Sequence, residues 1–218
     1  MTTRRHRALA AFSALVGLLL VNVASAATVY FTSTYVIPAG ATYNGNGNTI
    51  VAQGMGDGSQ NEGQQAFFRL NANSWLRNVK LAAPGIDGCH FYGNGTMNEV
   101  TWQDVGEDQF TVKSGGNCWV SGASAVNASD KFGQVNAATS VTLYYHTQTN
   151  GLKNIRQLGG STFTCNFYYD NSTHNQTREA VGRTDSSTTR FGQRNIHVNS
   201  FSGPNGWWYG RSSQAFTY

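Results

Sequence analysis

The sequence predicts an all-β, single-domain solenoid of stacked parallel coils, and three observations predict it. No long segment carries apolar residues at i, i+3, i+4 and i+7, so the amphipathic-helix pattern is missing. The 25 glycines and abundant asparagines punctuate short bursts of Val, Thr, Tyr and Phe, as strands separated by turns would. The bursts also recur at a nearly constant period. In chain order they are WLRNVKLAA, TMNEVTWQDV, NCWVSGASAV, SVTLYYHTQ, TFTCNFYYD and RNIHVNSFSG.

Each burst supplies one inward position. Val79 serves the first, Val100 the second, Val120 the third, Leu143 the fourth and Cys165 the fifth, at steps of 21, 20, 23 and 22. Ile196 follows Cys165 by 31, which predicts an inserted loop around residues 170–190. One strand cluster per repeat, with turn residues between and no helical half, reads as a parallel β-helix. Each coil leaves its inner face bare until the next stacks on it, so stability comes from neighbours. Leucine-rich repeats lack a match, because the asparagine–leucine signature is absent. A β-sandwich would also show many short strands.

The N-terminal segment, 1–26, reads differently. Arg4, Arg5 and Arg7 precede the apolar run ALAAFSALVGLLLVNV, and Ala24 to Ala26 supply small residues for cleavage. That is the pattern of a secretory signal rather than a membrane anchor, because the run is short for a span. Residues 27–218 then form the expected domain, secreted and extracellular. Removing the three signal arginines takes the formal charge from +4 to +1. Bulk charge therefore supplies no nucleic-acid footprint, and neither a nucleic-acid nor a membrane partner is expected. Three cysteines, Cys89, Cys118 and Cys165, allow one disulfide and a thiol or three buried thiols. Sequons begin at Asn94, Asn127, Asn171 and Asn175, and in a glycosylating host they would mark surface.

In a solenoid, residues one coil apart stack at the strand spacing of about 4.8 Å. Offsets of one coil period are then the spacing at which side chains meet. Asp87 precedes the acid pair Glu107 and Asp108 by offsets of 20 and 21. Lys113, Lys131 and Lys153 follow at steps of 18 and 22, with Arg156 just beyond, and these are three of only four lysines. Carboxylates at coil spacing form a hard-oxygen site of the kind calcium takes. Cations at coil spacing without standing anions would wait for an anionic substrate, and their crowding would lower a lysine's pKa towards a usable neutral amine. Ordinary turn acids and scattered solvated lysines are the plainer readings of the same residues.

The stretch APGIDGCHFYGNGTMNEVTWQDVGEDQFTVKSGG, followed by ASDKFGQVN and GLKNIRQLGG, resembles the family 3 pectate lyases among polysaccharide lyases. GDGSQNEGQ, FRLN and RTDSST are similar to further segments of that family, and the resemblance runs from about residue 28 to 200. It implies a small right-handed parallel β-helix that cleaves polygalacturonate, the backbone of low-ester pectin, by Ca2+-dependent β-elimination and works as a monomer. Position by position, it implies Asp87, Glu107 and Asp108 as calcium ligands. Lys131 would be the base, Arg156 the arginine beside it, and Lys113 and Lys153 the lysines that hold substrate carboxylates. On general grounds the lysine is the preferred base, since arginine stays charged.

The resemblance has one departure. The family commonly carries a small disulfide directly after this histidine, but here the two positions are Phe91 and Gly95, with Cys89 ahead of His90. This puts the stiffness of the loop near Asp87 in question. His90 reads as structural. The aromatic tail GWWYG (206–210) reads as an end cap more than a sugar platform. Three other functions compete. A polygalacturonase needs two separated carboxylates as acid and base, and no second acid pair is present. A non-catalytic pectin-binding wall protein would keep the calcium site but has no use for the full cation set. A purely structural β-solenoid leaves the coil-spaced cations unexplained.

Overall fold

The computed structural model describes residues 25–209 and 212–218, so the predicted signal segment at 1–26 falls almost wholly outside the described residues. Apart from a short 3-10 turn at Ser212–Gln214, the described elements are all strands, and every pairing between them is parallel. The predicted parallel β-helix is the fold.

Three columns of strands make three faces. The first face stacks Tyr35–Ile37, Phe68–Asn71, Cys89–Tyr92, Asp108–Ser114 and Lys131–Val135, then the later parts of Thr147–Gln157 and Thr173–Arg183, and ends on Trp208–Tyr209. The second stacks Thr42–Asn44, the early parts of Ser74–Leu81 and Gly95–Trp102, then Asn117–Ser121, Ser140–Tyr144, Asn166–Asp170, Arg190–Arg194 and Ala215–Thr217. The third starts from Thr28–Phe31 and Thr49–Ala52 and runs up to His197–Asn199. On the first face Phe68, Cys89, Phe110, Gly133 and Ile155 are successive partners, at steps of 21, 21, 23 and 22.

The period is legible in the sequence, but the register needs correcting. Val79 does pair with Val100. Val120, however, sits on Met97 and under Leu143, and Leu143 pairs with Tyr169 rather than Cys165. The expected series slips across a corner from the third face to the second. Both faces turn an apolar residue inward at alternate positions, so spacing by itself does not say which face a residue is on. The long insertion also lies elsewhere. Tyr35 pairs with Phe68, a step much longer than one coil, around the loop 53–67. Residues 173–183, in the predicted loop, are one continuous strand.

The corners explain the asparagines. Between the second and third faces six successive coils each turn on one left-handed residue, Asn78, Glu99, Gly122, Tyr145, Asn171 and Asn195, with φ from 47° to 57°. Asparagine and glycine tolerate this conformation best. Asparagine also donates to the coil below, as Asn195 does to Asn171 at 3.1 Å and Asn94 to Asn73 at 3.0 Å. Inside, Leu76, Met97, Val120 and Leu143 form one fully buried column. Each such side chain contributes roughly 1.5–3 kcal/mol by leaving water. Cys89, Cys118 and Cys165 are buried free thiols. Trp208 closes the end of the solenoid by stacking on Phe191, with ring centroids 5.0 Å apart.

Candidate active site

The seven residues singled out from the sequence line one cleft of about 350 Å³ on the first face: Asp87, Glu107, Asp108, Lys113, Lys131, Lys153 and Arg156. Register puts them there. Cys89 pairs with Phe110, so Asp87 stands one coil below Asp108. Asp108 pairs with Lys131 and Lys131 with Lys153, giving one acid and two cations on three successive rungs. Arg156 belongs to a second column, above Gln134 and Thr111. Lys113 lies where the Asp108–Ser114 strand bulges against Cys89–Tyr92. The four cations are therefore not a single ladder, and the step of 18 from Lys113 to Lys131 is no rung.

The charge balance also differs from expectation. Cations without standing anions are not what the cleft holds, because Asp130 sits between two of them. Its carboxylate accepts a hydrogen bond from Lys131 Nζ at 2.7 Å and another, through its second oxygen, from Lys153 Nζ. Lys131 also lies 3.1 Å from Asp108 Oδ1 and 3.9 Å from Glu107 Oε1, and Lys153 lies 3.2 Å from Glu179 Oε2. Lys131 and Lys153 are both buried, at 7% and 6% exposure. Burial alone would push the Lys131 pKa down, but Asp108 and Asp130 outweigh it, and the ammonium is held above its ordinary range. Crowding by like charge is not the dominant influence here.

The acids carry the complementary strain. Burial raises the Asp108 carboxyl to about 7; Lys131 opposes that rise, and Glu107 and Asp87 add to it. Burial also raises Glu107, against Lys131, with Glu62, Asp87 and Asp130 contributing. Asp130 goes the other way: burial would lift it, but the hydrogen bonds from Lys131 and Lys153 bring it below its usual value.

Arg156 is held differently. Its Nη2 is 4.0 Å from Asp185 Oδ2, and its guanidinium lies against the backbone of Gly159. A Cβ on residue 159 would fall 2.6 Å from that nitrogen, so a larger residue there would make the guanidinium move.

The hard-oxygen donors match calcium by type. Asp108 Oδ1 is buried and makes no well-aligned hydrogen bond, which marks a carboxylate with coordinating capacity to spare. As they stand, though, the three acids face other partners. Asp87 Oδ2 is 3.0 Å from His90 Nε2. Among the described residues no three acid, histidine or cysteine side chains form a ready-made metal cage.

Asp130, Glu62, Thr111, Gln134 and Asn136 supply further polar lining, beside Leu158 and Gly159, and are absent from the candidates read from the sequence. Asp130 carries a usable signal, since it stands an offset of 23 after Glu107 and the same offset before Lys153. The coil rule, applied among the acids, stops short of it at Asp108. Glu179, beside Lys153, and Glu62, on the long loop, follow no such offset.

The fold and the cleft together define a class of protein, parallel β-helices that gather acids and cations into a cleft on one outer face. The comparisons narrow it. The pectate lyase family profile matches residues 21–210, and the chain belongs to that family. Among similar proteins, probable pectate lyase D of Emericella nidulans is 33% identical over 132 residues, covering 59% of this chain and 50% of that protein. Probable pectate lyase F of Aspergillus fumigatus is 31% identical over 129 residues, covering 57% and 55%. The chain thus spans about half the length of the curated relatives it matches. The crystal structure of the catalytic domain of pectate lyase PelI from Erwinia chrysanthemi superposes with a TM-score of 0.58 at 18% identity, over 88% of this chain and 97% of that one, and shares the fold. No described helix is long and apolar enough to cross a membrane.

Proposed function

We propose that the chain is a secreted, calcium-dependent pectate lyase whose single domain, residues 27–218, cleaves α-1,4-linked galacturonan by β-elimination. The observation that carries the reading is the convergence of Asp87, Glu107 and Asp108 with Lys113, Lys131, Lys153 and Arg156 in one cleft, from four successive coils. Family membership supports the same reading.

Asp87, Glu107 and Asp108 would hold the calcium. The chemistry it supplies when bound is positive charge, against the uronate carboxylate and in competition with Lys131 for Glu107 and Asp108. Lys113 and Lys153 bind uronate carboxylates of the chain, and Arg156 faces the carboxylate that gains charge as C5 loses its proton. Lys131 takes that proton, the C4–O bond breaks, its electron pair leaves with the oxygen, and a C4=C5 double bond remains. Asp130 positions Lys131 and Lys153 through one carboxylate. Because the Lys131 ammonium is held protonated, the neutral amine is scarce at neutral pH, and the rate should climb with alkalinity.

The deciding assay is ultraviolet absorbance during incubation with polygalacturonate at alkaline pH, with calcium or with chelator. A calcium-dependent rise reports unsaturated ends. A flat trace from folded, calcium-supplemented protein overturns the lyase reading. New reducing ends without absorbance would point to hydrolysis, and binding without either would point to a non-catalytic pectin-binding protein.

A further inference from the structure

The second face carries a regular array that the cleft chemistry does not use. At its outward positions Trp75, Trp119, Tyr168 and Phe216 occupy alternate rungs, and Thr96, Thr142 and Gly192 occupy the rungs between. At about 4.8 Å per rung, successive rings are anchored about 9.6 Å apart along a straight column. Trp75 and Trp119 are 47% and 46% exposed, far more than packing would leave them. Aromatics on adjacent rungs of a sheet would stack on one another. The threonines between them instead leave shallow recesses over Thr96 and Thr142, whereas the rings close over Gly192.

Those recesses are polar at their edges and poor in charge. The one between Trp75 and Trp119 lies over Thr96 and is flanked by Asn98 and Ser121. The one between Trp119 and Tyr168 lies over Thr142, and the charges beside it, Asp170 and Arg194, are paired with each other. At the far end Tyr168 packs edge-on against Tyr218, with centroids 5.5 Å apart, and against Phe216 at 6.3 Å. This fixes the third ring in place.

We propose that this face binds a neutral, extended β-1,4-linked polysaccharide. In such a chain the equatorial linkages keep the sugars flat and turn each over relative to the last. The same apolar face then recurs every second sugar, at close to the two-rung spacing, and the hydroxyls between rings would meet the hydroxyl and amide groups of Thr96, Asn98 and Ser121. Charge argues for a neutral ligand: along this strip Arg194 is paired with Asp170 and Arg190 lies over the Phe216 ring, which leaves Arg77, next to Asn98, at the Trp75 end, with no row of buried lysines such as the first face carries. Bound there, the molecule would be tethered to an uncharged wall polymer while the cleft on the neighbouring face stays open.

The test uses the full chain in pull-downs on microcrystalline cellulose, and in native gels containing a soluble β-1,4-glucan or polygalacturonate. The parent should be held by the cellulose and retarded by the glucan. The Trp75→Ala/Trp119→Ala double variant should bind at least tenfold more weakly, with unchanged melting and unchanged turnover of soluble polygalacturonate, and Trp119→Tyr should retain binding. As a readout independent of any variant's folding, tryptophan fluorescence of the parent should respond to cellohexaose and not to an oligogalacturonate. The proposal is overturned if the parent is not retained, if the double variant binds like the parent, or if only polygalacturonate retards it. It is equally overturned if the parent is a dimer that the double variant dissolves, since the face would then join two copies of the chain.

Discussion

At Asp130 one carboxylate orders two buried ammonium groups, and that makes it the sharpest residue-scale test. Asp130→Asn keeps the shape but removes the charge from between Lys131 and Lys153. Turnover of polygalacturonate should fall about 10- to 100-fold, in the range of a lost positioning contact. The pH profile should shift to lower pH, because Asp130 is one of the groups that hold Lys131 protonated. A merely structural role would lower the melting temperature and leave the profile unmoved. Lys131→Ala should abolish elimination while calcium still raises the melting temperature, since the acids that would hold the ion remain. Loss of both together would place Lys131 in the metal site's integrity rather than in proton transfer.

At the scale of strands and corners, the left-handed positions set the local cost. Glu99 is exposed and sits at φ 54° in the corner column that elsewhere mostly uses asparagine or glycine. Glu99→Gly should stabilise the protein by roughly 0.5–1 kcal/mol, read from the denaturation midpoint at constant m. Phe91 and Gly95, where the resemblance implies a small disulfide, pack against each other instead. The Phe91 ring is fully buried, and a Cβ on residue 95 would come within 2.9 Å of it, so ring and glycine are a matched pair. Gly95→Ala should then cost about 1–3 kcal/mol as the ring is displaced. A neutral result would mean that the loop beside Asp87 draws its stiffness from elsewhere.

For the molecule as a whole, acid stability should depend on a polar chain inside the solenoid. Ser172 Oγ lies 3.0 Å from His174 Nε2, and His174 Nδ1 lies 3.0 Å from Gln148 Oε1. Gln148 donates to Gln109 at 3.3 Å, and Gln109 Nε2 lies 2.9 Å from His146 Nε2. The Gln109 amide can only donate, so His146 Nε2 accepts and that imidazole is neutral; His174 Nδ1 donates to Gln148, and the Ser172 hydroxyl donates to a neutral Nε2. Burial holds each pKa down at about 3, with His146 adding to the effect on His174. The unfolded chain therefore takes up these protons first. The stability contributed by the neutral rings is complete above about pH 6.5 and declines as pH falls from there towards 3, by about 2 kcal/mol per histidine at pH 5. Urea midpoints measured from pH 7.5 to 4.5 should fall steeply in the parent, and less steeply in a His174→Gln variant. A flat profile would show that the imidazoles are already charged and the chain of donors is wrong.

The sequence by itself determined the all-β coil and its period, and it singled out seven residues that the fold brings to one cleft. Strand composition, turn residues and coil-spaced charges are local or evenly repeated signals, and stacking converts equal offsets into neighbours. Which face each rung belongs to was decided only by the folded chain. Val120 belongs a face away from its expected column because all three faces bury alternate apolar residues, and the long insertion at 53–67 is visible only through the pairing of Tyr35 with Phe68. Tertiary structure likewise decided that Asp130 and Glu179 neutralise two of the cations and that the Lys131 proton is held rather than loosened. A pKa follows from the distances and burial of every charge around a group, and none of those distances is written in a spacing of residues.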